Sequence, residues 1–106
     1  METSLAIAER ALFAIDPDGS EHSIVIRVEQ PTLIAQADWG TYVTLLGLDS
    51  KRHLIGGIDS WQSLHLAMKF PEHLLPGYIE KGWKFFWDRG GTEFKPSDLF
   101  DSLRAP

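Results

Sequence analysis

Apolar and polar residues alternate with a period of two through most of the chain up to residue 58, and the spacing becomes helical just beyond it. A period of two marks a strand with one buried face, whereas recurrence every three to four residues marks an amphipathic helix. Residues 4–15 form a long apolar run in which Leu5, Ile7, Ala11, Phe13 and Ile15 share a face. Glu9 falls on that same face, which predicts a bulge there or a strand that starts later. The segment Asp16-Pro17-Asp18-Gly19-Ser20 is turn chemistry: proline presets one backbone angle and glycine tolerates the unusual one. Ile24, Ile26 and Val28 then alternate with Val25, Arg27 and Glu29 in a half-buried strand that Pro31 ends. Two such runs around a short turn predict a β-hairpin. Residues 32–38 read as a connection, 41–48 as a third strand, and 53–58 as a fourth. Gly56-Gly57 within the fourth marks a bulge or a close backbone approach. Trp83, Phe85 and Trp87 alternate with Lys84, Phe86 and Asp88 in a fifth strand closed by Gly90-Gly91.

Between the fourth and fifth strands lies the helical pattern. Asp59 can accept from free N–H groups of a first turn, and Gln62 stands three residues on, where a reciprocal cap needs it. Trp61, Leu64, Met68, Leu75 and Ile79 trace the expected packed face, with Ala67 and Tyr78 beside it. Lys81 and Gly82 supply C-terminal chemistry. Pro71 and Pro76 oppose one straight helix, because each lacks a backbone donor and crowds the preceding turn. A kink near Phe70-Pro71, or two helical pieces, is the expectation. The order β-β-β-β-α-β predicts an α+β fold, with an antiparallel sheet of about five strands and one main helix on one face. Residues 1–106 form one domain, and residues 89–106 are a C-terminal segment that either docks or frays. Leu99, Phe100 and Leu103 there have the spacing of a short terminal helix.

Composition narrows the function classes. A chain of 106 residues can bury one core but not two. Ten Lys and Arg against fifteen Asp and Glu give a net charge of −5, which argues against a nucleic-acid partner held through its phosphates. The chain has no cysteine, which removes disulfides, thiolate metal sites and cysteine nucleophiles. Met1-Glu2-Thr3-Ser4 lacks the basic start of a signal peptide, and no apolar stretch approaches the roughly 20 residues that span a bilayer. The expectation is a soluble cytoplasmic protein with no membrane partner and no cofactor.

Candidate chemistry is sparse. Asp59-Ser60 is explained as a cap, since a nucleophile elbow needs glycines where Ile58 and Gln62 stand. Of the four histidines, His65 and His73 share the helix but are separated by Pro71, and no metal-binding spacing occurs. Gly56-Gly57 before a helix lacks the further glycines or lysine of a phosphate loop. Glu9 and Arg10 are adjacent in a strand and so point to opposite faces. Trp61, Trp83 and Trp87 read as core. Trp39 beside Asp38, at a loop-to-strand boundary, is the candidate for an exposed contact.

Several short motifs resemble those of an uncharacterised bacterial family of about this length, known only as a domain of unknown function. They are Ile7-Ala8-Glu9-Arg10, Asp16-Pro17-Asp18-Gly19, Asp38-Trp39, and Gly57-Ile58-Asp59-Ser60-Trp61-Gln62 with the Ser63-Leu64-His65-Leu66-Ala67 that follows. The resemblance covers residues 7 to about 88 and departs at Pro71, Pro76 and the tail after Asp88. It implies a bacterial, cytosolic setting and no known activity.

Two functional classes follow. The first is a non-enzymatic binding or protein-interaction domain, acting on a protein partner or as a homodimer through a sheet edge or the C-terminal segment. Neutralisation of a basic partner, as toxin-immunity proteins do, is an analogy within that class. The second is a small ligand-binding or enzymatic domain using Glu9, Arg10, Asp38 and a histidine around a pocket.

Overall fold

A computed structural model describes residues 5–101. The elements are β1 (Ala6–Ile15), β2 (Glu21–Glu29), β3 (Thr32–Leu33), β4 (Trp39–Leu46), β5 (Arg52–Gly57), α1 (Ser60–Glu80) and β6 (Lys84–Phe86), followed by a 3-10 turn at Pro96–Phe100. The fold is α+β: one antiparallel sheet with a single long helix against one face. Across the sheet the order is β6-β1-β2-β4-β5, and the two-residue β3, formed within the 32–38 connection, pairs with the start of β4. Helix α1 carries the chain from the β5 edge back to the β1 side, where β6 is laid down. Leu103 of the tail lies outside the described residues.

Pairing fixes which side chains face the helix, because directly opposed residues project to the same side of an antiparallel sheet. Arg10 and Leu12 lie opposite Ile26 and Ile24, and Ile26 and Val28 lie opposite Leu45 and Val43. The packed face is therefore Arg10, Leu12 and Ala14 with Ile24, Ile26, Val28, Val43 and Leu45. Ala11, Phe13 and Ile15 share a face as the alternation predicts, and it is the one turned away from the helix. The register slips between Ala6 and Ala8, so a bulge near Ile7 interrupts the run and Glu9 belongs to the open face. Phe13 is nonetheless buried on that open face, beneath Phe86 and the Arg89 guanidinium.

The helix begins and ends as its sequence dictates. Asp59 accepts from the Gln62 N–H at 2.8 Å, and the Gln62 side chain accepts from the Ile58 N–H at 2.8 Å. At the other end the Gly82 N–H bonds to the Ile79 carbonyl and the Trp83 N–H to the Tyr78 carbonyl, both at 3.0 Å. Gly82 permits this with φ at +107°, and Trp83 packs edge-on against Tyr78. Between these ends the chain stays in one helix through Pro71 and Pro76, not in two pieces.

Its packed face keeps Leu64, Ala67, Leu75 and Tyr78 of the expected one but not Trp61, Met68 or Ile79. Ser63, Ala67, Pro71 and Leu75, four residues apart, are buried, and Leu64, Phe70, Leu74 and Tyr78 flank them. Trp61 is 84% exposed and Met68 and Ile79 are exposed as well. The cause is closeness of approach. A Cβ on Gly57 would lie 2.5 Å from the Ser63 nitrogen and 2.8 Å from its Cα, so backbone meets backbone where α1 starts. The Ser63 hydroxyl donates to the Ile55 carbonyl at 3.0 Å, which leaves the Thr41 hydroxyl to donate to Ser63 at 2.7 Å. Small residues, not the largest apolar ones, select the face that lies on the sheet.

Candidate functional site

The four residues singled out in the sequence do not form one constellation. Glu9 projects from the open face and pairs with Arg27 at 3.5 Å. Arg10 projects to the helix side, where its guanidinium carbon lies 5.2 Å from the centre of the Trp87 ring. Asp38 is exposed, and its carbonyl accepts from the N–H groups of Ile34 and Ala35 in the tight loop before β4. Glu9, Arg27 and Thr44 align across three strands, while Trp39 begins β4 roughly 16 Å away at the rise of a strand. Glu9 and Arg10 both line one shallow pocket between β1, β2, α1 and the 3-10 turn; Asp38 and Trp39 do not.

Histidines do not complete a pocket with them. His22 pairs with Asp16 at 2.8 Å and rests against Trp83, and His53 pairs with Asp49 at 3.1 Å and rests against Phe70. His65 and His73 are exposed on α1. Among the described residues no three His, Asp or Glu gather as a metal would require. The His22 contact, then the Ser20 N–H, hold the Asp16 carboxyl below its ordinary value of 3.8. A carboxylate depressed by folding stabilises above pH 3.8, and that contribution is lost as the pH falls below this value. Asp16→Asn should therefore flatten the acid limb of the stability curve. Urea midpoints taken between about pH 5 and about pH 3 check this, and parallel limbs in the two proteins would refute it.

One surface with unspent contact capacity lies at the β5 edge. Among the described residues β5 pairs with β4 alone. At the opposite edge of the sheet, β6 is covered by the returning chain: the Phe94 N–H donates to the Phe85 carbonyl at 2.7 Å and Trp87 to Thr92 at 2.9 Å. Beside the uncovered β5 edge stand Leu54, Ile58 and Trp61, all exposed, with Ile58 at 73%. Ile34 and Leu54 close together over Gly40 on the open face. The exposed tryptophan is thus Trp61 rather than Trp39, which is half-buried opposite Gly57. The sequence signal for this is Gly57 followed by Ser63 and Ala67, which turns the helix so that Trp61 faces outward.

The start of β5 is held rigidly. Glu29, almost fully buried, accepts two bonds from Arg52 at 2.8 and 3.0 Å, and the guanidinium lies 3.7 Å from the centre of the Tyr42 ring. The Glu29 bond raises the Arg52 pKa above its ordinary value, so the charge is permanent. Lys51 and Arg52 thus stand at one end of the edge strand and Asp59 just past the other. No helix among the described residues is long and apolar enough to cross a membrane. No family model, curated protein or solved structure gives a match to this chain.

Proposed function

We propose that this chain is a non-enzymatic protein-interaction domain of the bacterial cytoplasm, and that it pairs through β5 with a second copy of itself. The observation that carries the reading is Trp61, 84% exposed beside a sheet edge that no other strand among the described residues covers. An uncovered edge offers a row of backbone donors and acceptors, and strand addition is the way such rows are satisfied. Antiparallel pairing of β5 with its own copy brings Lys51 at one end of one strand to the Asp59 end of the other, so opposite charges meet at both ends, while Arg52 stays paired with Glu29. Leu54, Ile58 and Trp61 then supply the apolar area, with tryptophan the residue type that most often anchors such contacts. The motif Gly57-x-Asp59-Ser60-x-Gln62 that carries the resemblance stands at this junction.

Trp61→Ala tests the assignment without touching the core. At concentrations low enough to keep both proteins monomeric the variant should unfold at the urea midpoint of the parent, yet dissociate at a concentration roughly tenfold or more higher, by sedimentation equilibrium. Unchanged self-association in Trp61→Ala and in Leu54→Lys would refute the assignment of this surface.

A further inference from the structure

We infer that the pocket walled by Arg10 is a binding site for a short aliphatic carboxylate. The pocket has a volume of about 90 Å³. Ala8, Ile26 and Val28 line it from the sheet, Met68 from α1, and Leu99 and Phe100 from the 3-10 turn. All six are apolar. Arg10 belongs to the same wall, although its place on the packed face, in line with Leu12 and Ala14, is one that an apolar residue would ordinarily fill.

The guanidinium there is poorly served by the protein. Nη2 reaches the Leu99 carbonyl only at 3.5 Å, the far limit of a hydrogen bond. Nη1 is sealed from solvent and finds no acceptor among the described residues. Stacking over Trp87 uses its flat face but satisfies no N–H. A buried donor without an acceptor is costly, and more so when it is charged. The group that suits a guanidinium edge is a carboxylate, which can accept two parallel bonds. Glu9 does not fill that role, because its carboxylate is engaged with Arg27 on the other face of the sheet.

Shape selects the rest of the ligand. A cavity of about 150 Å³ holds a six-carbon ring, so this one takes a chain of roughly four carbons. A longer chain would pass out between Met68 and Phe100, both exposed at the mouth. Lys69 lies over the Phe100 ring, with Nζ 5.7 Å from its centre, and is paired with Glu72 at 3.5 Å. The site uses no residue of β5 and stands independently of the proposed self-association.

Titration of the ¹⁵N-labelled protein with sodium butyrate tests the site, with butanol and butylamine as probes of matched size. Butyrate should give saturable shifts centred on the amides of Ala8, Arg10, Leu99 and Phe100, and the other two should not. Arg10→Met should weaken butyrate binding roughly tenfold or more while retaining the dispersed spectrum of the parent. Met68→Trp, which fills the mouth from an exposed position, should block butyrate with Arg10 intact and serves if Arg10→Met does not fold. Absence of saturable butyrate shifts, equal binding of butanol, or unchanged binding in the variants would overturn the inference.

Discussion

Replacing Gly57 with alanine should remove about 3 kcal/mol of stability, whereas the same change at Gly56 should stay within about 1 kcal/mol of the parent. The two glycines are neighbours in one strand and chemically equivalent in the sequence, so the contrast isolates geometry. A methyl group at Gly57 meets the Ser63 backbone nitrogen and Cα at 2.5 and 2.8 Å. Neither atom can rotate away, as the tip of a side chain could. Relief requires lifting the first turn of α1 off the sheet, which also pulls the Ser63 hydroxyl from the Ile55 carbonyl and from Thr41. One buried and one partly buried hydrogen bond weaken along with the packing. At Gly56 the added methyl would meet only the Trp39 carbonyl oxygen, at 3.8 Å, an ordinary contact. Urea midpoints of the two variants measure the difference, and equal losses would contradict the close approach of helix to sheet.

A gain is expected at Pro76. It lies exposed in the interior of α1, where proline costs about 3 kcal/mol relative to alanine through its missing N–H and the crowding of the previous turn. Part of that is offset because proline also restricts the unfolded chain, by up to about 1 kcal/mol. Pro76→Ala should therefore stabilise by about 2 kcal/mol and raise the melting temperature by roughly 10 °C. Pro71→Ala should gain much less. Pro71 is fully buried in the Ser63-Ala67-Pro71-Leu75 row, so its ring makes contacts that alanine cannot replace. Calorimetry of both variants separates backbone strain from packing. A lower melting temperature for Pro76→Ala would show that the chain at this point is not helical.

Features that depend on neighbours in the chain were legible in the sequence. The Asp16–Ser20 turn, the Asp59-Gln62 cap and the Gly82 termination each need only residues a few positions apart, and each forms as those residues require. Features that depend on what lies across the sheet were not. The bulge near Ile7 shifts the parity of β1 by one, and a single shift exchanges the inner and outer faces of the strand. Leu12 and Ala14 thereby become core, and Arg10 joins them. Hydrophobicity placed Trp61 inward; the need for small residues against Gly57 turned it out. The prolines argued against a continuous helix, but α1 is held by packing along its length, which outweighs local preference. The Arg10 pocket arises from a contact between residues far apart in sequence: Leu99 closes over Arg10 from the far end of the chain.

The proposed self-association uses β5 as an edge that a second copy would cover. Amide hydrogen exchange of residues 52–57, measured at dilute and concentrated protein, tests this most directly. Pairing should slow exchange of the outward-facing β5 amides as concentration rises, leave the β6 amides unchanged, and double the sedimenting mass from 12.0 kDa. Exchange in β5 that is independent of concentration, with the mass constant at 12.0 kDa, would contradict it.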